Sequence, residues 1–422
     1  MKIVRFSPTR RDLLRAGLLA PVFASGLLDA GRASAQVDAQ IAPFTYRASQ
    51  SALDDLRRRL TNTRWPHQGT VNDWSQGVPL AQIRALVDYW RDEYDWRRAE
   101  AALGRFRQFR TEIDGLGIHF IHARSRHPEA LPIILTHGWP STVQLFREVI
   151  DPLTDPTAHG GRADDAFHVI APSLPGFGFS DKPVEAGWNA ERTARAWAVL
   201  MERLGYRRYV AQGGDWGGYV TTAMAQQRAP GLAAIHLNFP LVIPDEIPAT
   251  LTPEQQRAME VLAQFEEKHA GYAAIQGTRP QLIGYSLNDS PAGFAAWLYD
   301  IYSARAGWRT ALTGAAPSEL SRDTILDEIT LYWLTGTAAS SARFYLEQAA
   351  LLGNRNNPGR VELPVGASIF PLDLPAPRSW AEQVYPNLIY WNELDRGGHF
   401  ASLEEPELFT QELRAFARAI RG

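Results

Sequence analysis

One decapeptide constrains this chain more than any other stretch: Tyr209-Val210-Ala211-Gln212-Gly213-Gly214-Asp215-Trp216-Gly217-Gly218. A β-prone run meets a glycine-rich corner, and small residues (Gly218, Thr221, Thr222, Ala225) then recur at helical spacing as far as Ala229-Pro230-Gly231. Strand, sharp corner and helix in that order present one side chain at the tip of a strained turn. Gly213 and Gly217 bracket Asp215, as such a corner requires, because a flanking side chain would clash. A carboxylate at that tip can attack carbon directly and leave an alkyl ester on the enzyme. The plainer alternative is a glycine-rich turn whose Asp caps a helix N-terminus. The rest of the chain decides between the two.

The chain has 422 residues, 45% apolar and 21% charged, with a net charge of −3. This is the composition of a globular protein. The body has no basic block, so nucleic-acid binding has no electrostatic footprint. Thirteen Trp and 14 Tyr supply material for an aromatic pocket. Cysteine is absent, which excludes disulfides, thiol catalysis and Cys–zinc sites. No metal or organic cofactor is implied, and an oligomer is compatible with the sequence.

Residues 1–35 read as an export signal. Ser7-Pro8-Thr9-Arg10-Arg11-Asp12-Leu13-Leu14 resembles a twin-arginine motif, and a weakly apolar run follows from Ala16 to Leu28. Ala33-Ser34-Ala35 places small residues before a cut at Gln36. The run is too short for a membrane span and is broken by Pro21, Gly26 and Asp29. The expected location is periplasmic or secreted.

Residues 36–106 form the next block. Leu53, Leu56 and Leu60, then Ile83, Leu86, Val87 and Trp90, recur at helical spacing. This is a helical N-terminal extension. From 107 to 238 the pattern alternates between strands and helices. Gln108–Ile113 and Ile118–Ala123 flank the turn Asp114-Gly115-Leu116-Gly117, and Pro132–Thr136 is a continuous apolar run of the kind buried on both faces. Such alternation predicts a doubly wound, mostly parallel sheet. Residues 239–362 begin with a proline-rich linker, then a helix start at Thr252-Pro253-Glu254-Gln255, then aromatic-rich helical sequence: an inserted lid. Sheet character returns in 363–422, with a closing helix expected over Glu404–Ile420.

In an α/β sheet with such a corner the order of groups is nucleophile, acid, histidine. Asp215 comes first. His399, in Arg396-Gly397-Gly398-His399-Phe400 after the last strand, is the candidate base. Asp373, in Phe370-Pro371-Leu372-Asp373, ends the preceding strand and is the candidate acid. Glu393 and Asp395 share the histidine's own loop and reach back poorly, and Asp245 is the remaining alternative. Asp215 must be ionised, His399 must be a neutral base for water, and Asp373 fixes the imidazole tautomer. The oxyanion formed when water adds needs donors. The backbone N–H groups of Trp139, in His137-Gly138-Trp139-Pro140, and Trp216 are the expected ones.

These motifs together resemble the microsomal and juvenile-hormone epoxide hydrolases, as do Arg64-Trp65-Pro66 and Tyr94-Asp95-Trp96-Arg97 in the extension. The resemblance covers nearly everything from Ile41 to the end. It implies an α/β-hydrolase fold and a reaction of epoxide plus water to vicinal diol through an Asp ester. It also implies two lid tyrosines that donate to the epoxide oxygen. Gly271-Tyr272-Ala273-Ala274-Ile275-Gln276 and Arg343-Phe344-Tyr345 match those positions, so Tyr272 and Tyr345 are the expected donors. A tyrosine, with a pKa of about 10, can donate at neutral pH without ionising. The chain departs from the family pattern at Ser141-Thr142, where Gly-Ser is usual, and in carrying an export signal instead of a membrane anchor.

Two rival readings remain. A haloalkane dehalogenase shares Asp-Trp at the corner but needs a halide cradle and no paired lid tyrosines. A non-catalytic ligand-binding protein on the same fold would have no use for an intact triad. An apolar epoxide and water are the expected partners. For the N-terminus, replacing Arg10 and Arg11 with Lys is expected to stop export, and the wild-type mature protein is expected to begin at Gln36. N-terminal sequencing checks this, and a mature protein that keeps Met1 overturns it.

Overall fold

Nine strands form one sheet in the computed structural model, which describes residues 40–240, 242–244, 246–313, 320–352 and 359–421. Arg10 and Arg11, the expected cut before Gln36 and the alternative acid Asp245 lie outside the described residues. The strands are β1 (Ala42–Phe44), β2 (Gln108–Ile113), β3 (Leu116–Ala123), β4 (Leu131–Thr136), β5 (Phe167–Pro172), β6 (Tyr209–Gly213), β7 (Leu232–Leu237), β8 (Val365–Ile369) and β9 (Leu388–Glu393). Their spatial order is β1-β2-β3-β5-β4-β6-β7-β8-β9. The first three pair antiparallel, as do β3 and β5, and from β5 to β9 every pairing is parallel.

The parallel strands read as apolar runs because helices cover both faces. Ile133, Ile134 and Leu135 in β4, and Val210 and Ala211 in β6, are fully buried. After β4 the chain moves to one side to form β5, then returns to lay β6 on the other side of β4. The order of strands therefore reverses between β4 and β6. Their carboxyl ends open a crevice there, the position at which such sheets hold ligands.

Three local outcomes differ from the sequence expectation. The β2–β3 turn is tighter than four residues. Asp114 (φ 54°) and Gly115 (φ 74°) make the whole corner, and Leu116 and Gly117 already pair with Ile113 and Glu112. Two successive left-handed residues match the twist of a two-residue hairpin, and Asp-Gly suits both positions. The N-terminal extension contributes the edge strand β1 as well as its helices Gln50–Thr61, Leu80–Asp92 and Trp96–Gly104. The closing helix is two pieces, Ala401–Glu404 and Pro406–Arg421. Pro406 disfavours a helical residue before it and starts a new helix well.

The helices Pro253–Lys268, Gly271–Thr278, Pro280–Asp289, Pro291–Thr313, Arg322–Thr335 and Ala338–Leu352 lie between β7 and β8. Thr252 and Gln255 form the expected capping box. Among the described residues no helix is long and apolar enough to cross a membrane. Asp327, on the helix Arg322–Thr335, ties three parts of the chain together. Its carboxylate accepts from the Tyr94 hydroxyl at 2.7 Å, from Arg98 at 2.7 Å, and from Arg147. A second bond of this kind joins the Tyr89 hydroxyl to Asp323 at 2.7 Å. Tyr94 and Arg98 belong to the extension, and Arg147 follows β4 in the core.

A buried carboxylate survives only when ionic and hydrogen-bonding partners replace its water. Removing it leaves Arg147, itself buried, with only the half-exposed Glu148 carboxylate at 3.0 Å as a counter-charge. Asp327→Ala is therefore expected to destabilise the fold by roughly 3–5 kcal/mol, read as a shift of the urea midpoint. A loss of less than about 1 kcal/mol, the range of an exposed pair, would show that the junction does not depend on this carboxylate.

Candidate active site

β6 ends at Gly213, and Asp215 sits at the corner with φ 51° and ψ −130° before the helix Trp216–Gln226 begins. A non-glycine residue at that φ is strained, and the surroundings hold it there. A Cβ on Gly217 would run into the Thr136 carbonyl, and one on Gly138 would run into the Asp215 side chain. The two loops thus approach to backbone contact, which only glycine permits. The helix behind Asp215 directs its N-terminal partial charge at the carboxylate.

The sequence-predicted triad comes together. His399 Nδ1 lies 3.0 and 2.9 Å from the two Asp373 oxygens, and His399 Nε2 lies 3.4 Å from Asp215 Oδ2. Asp373 Oδ1 also accepts the Leu374 N–H at 2.7 Å. Asp373 and His399 are buried at 3% and 8% exposure, so little water competes for these bonds. The Nδ1 proton belongs toward Asp373, which leaves the Nε2 lone pair facing Asp215. Glu393 instead accepts from the Trp391 indole at 3.0 Å, and Asp395 lies beside Arg396.

The Trp139 N–H donates to Asp215 Oδ1 at 2.8 Å. Trp216 opens the helix behind Asp215, so its N–H is one that the helix does not use internally. His137 anchors the Trp139 loop. Its Nε2 accepts the Leu174 N–H at 3.1 Å, and its Nδ1 donates to the Gly138 carbonyl at 3.0 Å. Burial pushes its pKa down to about 4, so it serves as a neutral strut.

Tyr272 and Tyr345 are buried and converge on the two tryptophans beside Asp215. The Tyr272 ring stacks on Trp139 at 5.0 Å. The Tyr345 ring meets Trp216 edge-on at 4.6 Å and Trp139 at 5.6 Å. The two phenol rings are 6.0 Å apart. A small cavity lies beside Asp215 and His399, lined by polar Thr136, Ser141, Gln212 and Asn238 and by apolar Leu145, Phe146, Phe400 and Phe409 among others. Its space of about 20 Å³ for a water-sized sphere suffices for one water molecule. Among the described residues no His, Asp and Glu side chains cluster as a metal site.

Sequence reasoning missed a second set of polar groups around this site. Glu328 is buried among Thr142, Tyr302 and Tyr332, and burial pushes its carboxyl up to about 8. The available signal was the pair Asp327-Glu328 inside the apolar helical run Ile325, Leu326, Ile329, Leu331. Carboxylates on such a face require partners from elsewhere in the chain.

Comparison with known proteins agrees with this geometry. Residues 41–146 match the family described as epoxide hydrolase N terminus, and residues 132–267 match the alpha/beta hydrolase fold. A protein of Stigmatella aurantiaca (strain DW4/3-1) that bears the provisional name of epoxide hydrolase is 60% identical over 384 residues, 90% of this chain and 86% of that one. Epoxide hydrolase 1 of Sus scrofa is 35% identical and spans 91% of this chain and 90% of its own. Among solved structures, the Aspergillus niger epoxide hydrolase superposes with a TM-score of 0.79 at 30% identity, covering 90% of this chain and 97% of that one. The juvenile hormone epoxide hydrolase of the silkworm Bombyx mori also gives 0.79, at 28% identity, covering 91% and 96%.

The contact between Gly138 and Asp215 generates a test of the corner itself. Gly138→Ala is expected to displace the carboxylate, and a displacement of about 1 Å lowers turnover about 100-fold. The melting temperature is expected to move by only a few degrees. Turnover within about twofold of wild type would mean that the close approach has no bearing on the site.

Proposed function

The chain belongs to the epoxide hydrolase family, and from that premise we propose that it makes a vicinal diol from an apolar epoxide and water through an alkyl ester on Asp215. Asp215 Oδ2 attacks a ring carbon, and the C–O bond to that carbon breaks. The ring oxygen takes a proton from Tyr272 or Tyr345 while the other hydroxyl holds it. The result is a hydroxyalkyl ester whose carbonyl oxygen is Asp215 Oδ1, the atom that already accepts the Trp139 N–H.

His399 Nε2 then removes a proton from water, which adds to the ester carbon. The imidazolium that forms is stabilised by Asp373, two short contacts away. Negative charge builds on Oδ1, where Trp139 and Trp216 are the proposed donors. Collapse breaks the acyl C–Oδ2 bond: Oδ2 leaves as the second hydroxyl of the diol with the imidazolium's proton, the water oxygen stays in the Asp215 carboxylate, and the remaining water proton returns to the tyrosinate.

The observation that carries this reading over a dehalogenase is the paired tyrosines. Halide departs without a proton and needs only donors that cradle it, whereas a ring-opened alkoxide needs a proton, which a tyrosine supplies. The aromatic walls of Trp139, Trp216 and Phe344 favour an apolar substrate. We also propose export through the twin-arginine segment, on the sequence of residues 1–35 alone.

Two sets of variants test the scheme. In His399→Gln, intact mass is expected to rise by one substrate mass, located on the peptide that holds Asp215. Asp215→Ala is expected to show no adduct, and an adduct elsewhere would refute the assignment. Tyr272→Phe and Tyr345→Phe are each expected to slow ester formation about 100- to 1000-fold and the double variant to be nearly inactive. Tyr285→Phe, at an exposed lid position, serves as the control. Near wild-type rates in both single variants would remove these tyrosines from the chemistry.

A further inference from the structure

The loop that carries the Trp139 donor is gripped by one face of the helix Arg322–Thr335. Tyr332 donates its hydroxyl to the Ser141 carbonyl at 3.1 Å. Thr142 donates its hydroxyl to Glu328 Oε2 at 2.7 Å. Glu328 and Tyr332 are one turn apart, so both side chains leave the same face. Gln144 adds a bond from its amide to the Asp327 carbonyl at 2.7 Å. Ser141, Thr142 and Gln144, starting two residues beyond Trp139, are therefore tied to one lid helix.

All the side chains in this grip are buried: Ser141 at 2% exposure, Thr142 at 0%, Glu328 at 1% and Tyr332 at 0%. A polar contact without competing water holds its geometry more firmly than one at the surface. Position 141 is held through its backbone carbonyl, and position 142 through its hydroxyl, so the grip on Glu328 depends on a hydroxyl at 142.

We propose that Glu328 is a positioning residue for ester hydrolysis, acting through the Thr142 hydroxyl to hold the Trp139 N–H on the oxygen of Asp215 that becomes the oxyanion. The groups facing Glu328 are Thr142, Tyr302, Tyr332 and the Arg147 and Asp327 pair. Its own burial favours the neutral acid at pH 7, so glutamine copies both its shape and its charge. Leucine keeps the bulk and removes the acceptor. Valine at 142 keeps the shape and removes the hydroxyl, and serine keeps the hydroxyl.

The inference rests on the ester reading, so the experiment separates the two. Single-turnover kinetics with a styrene-type epoxide, followed by quench and intact mass, resolves ester formation from ester hydrolysis. Thr142→Val and Glu328→Leu are each expected to slow hydrolysis about tenfold or more, less than the loss of a whole oxyanion donor. Ester formation should stay within about threefold, so the ester accumulates. The double variant should be no slower than the worse single one, because both remove the same contact. Thr142→Ser and Glu328→Gln should hydrolyse the ester within about threefold of wild type.

Equal slowing of both steps with a falling melting temperature would reduce Glu328 to a fold residue, and unchanged hydrolysis in both variants would remove it from the mechanism. If His399→Gln traps no ester at all, the ester reading itself fails. If it traps the ester while Thr142→Val hydrolyses normally, only the present inference fails.

Discussion

The Trp139 N–H bond to Asp215 Oδ1 joins the ends of β4 and β6, and the rest of the site is built around it. It requires two loops to meet at backbone distance, which explains the glycines at 138 and 217. It also requires Asp215 to hold a positive φ that aspartate adopts reluctantly. The parallel pairing of β4 with β6 and the helix behind Asp215 over-determine that conformation. In the proposed reaction the same bond is aimed at the oxygen where charge develops, and it needs no reorganisation there.

Burial treats the histidines of this chain in two ways. His119 and His236 are pushed down to about 3 by desolvation with no acid against them, and His137 to about 4, because its desolvation outweighs the nearby Asp215 carboxylate. They work as neutral hydrogen-bonding struts: His119 between Ser173 and Gln108, and His236 against Ser368. His399 is equally buried but has a carboxylate against Nδ1 and a second carboxylate beyond Nε2. Only that environment can stabilise an imidazolium when one forms. The difference between strut and base lies in the partner, since depth is common to both.

The lid is more than a cover over the crevice. Its helix Arg322–Thr335 carries Asp327, bound to the N-terminal extension and to Arg147, and Glu328, bound to the loop beside the oxyanion donor. Two adjacent acids face different neighbours because successive residues on a helix point about 100° apart. One is held by cations, and the other is raised by burial and held by a hydroxyl. The extension, lid and core therefore meet at a single helix, close to where the chemistry takes place.

The corner, the sheet and the candidate triad, with Asp245 left as an alternative to Asp373, were legible in the sequence, because each leaves a local mark. Glycines must flank a strained nucleophile, strands buried on both faces must be continuously apolar, and a base must follow the last strand. It also pointed to Asp373 over Glu393 and Asp395 by the reach of the loops, and the 2.9 Å contact agrees. The tyrosines became visible only through resemblance, since among 14 tyrosines nothing local distinguishes two. The tertiary structure alone decided that Tyr272 and Tyr345 meet Trp139 and Trp216. It alone placed Glu328 opposite Thr142, 186 residues away in the chain. Contacts of that kind depend on which helix face a distant loop happens to meet. No local propensity or spacing encodes that, because the free energy that fixes it comes from packing the whole lid against the sheet.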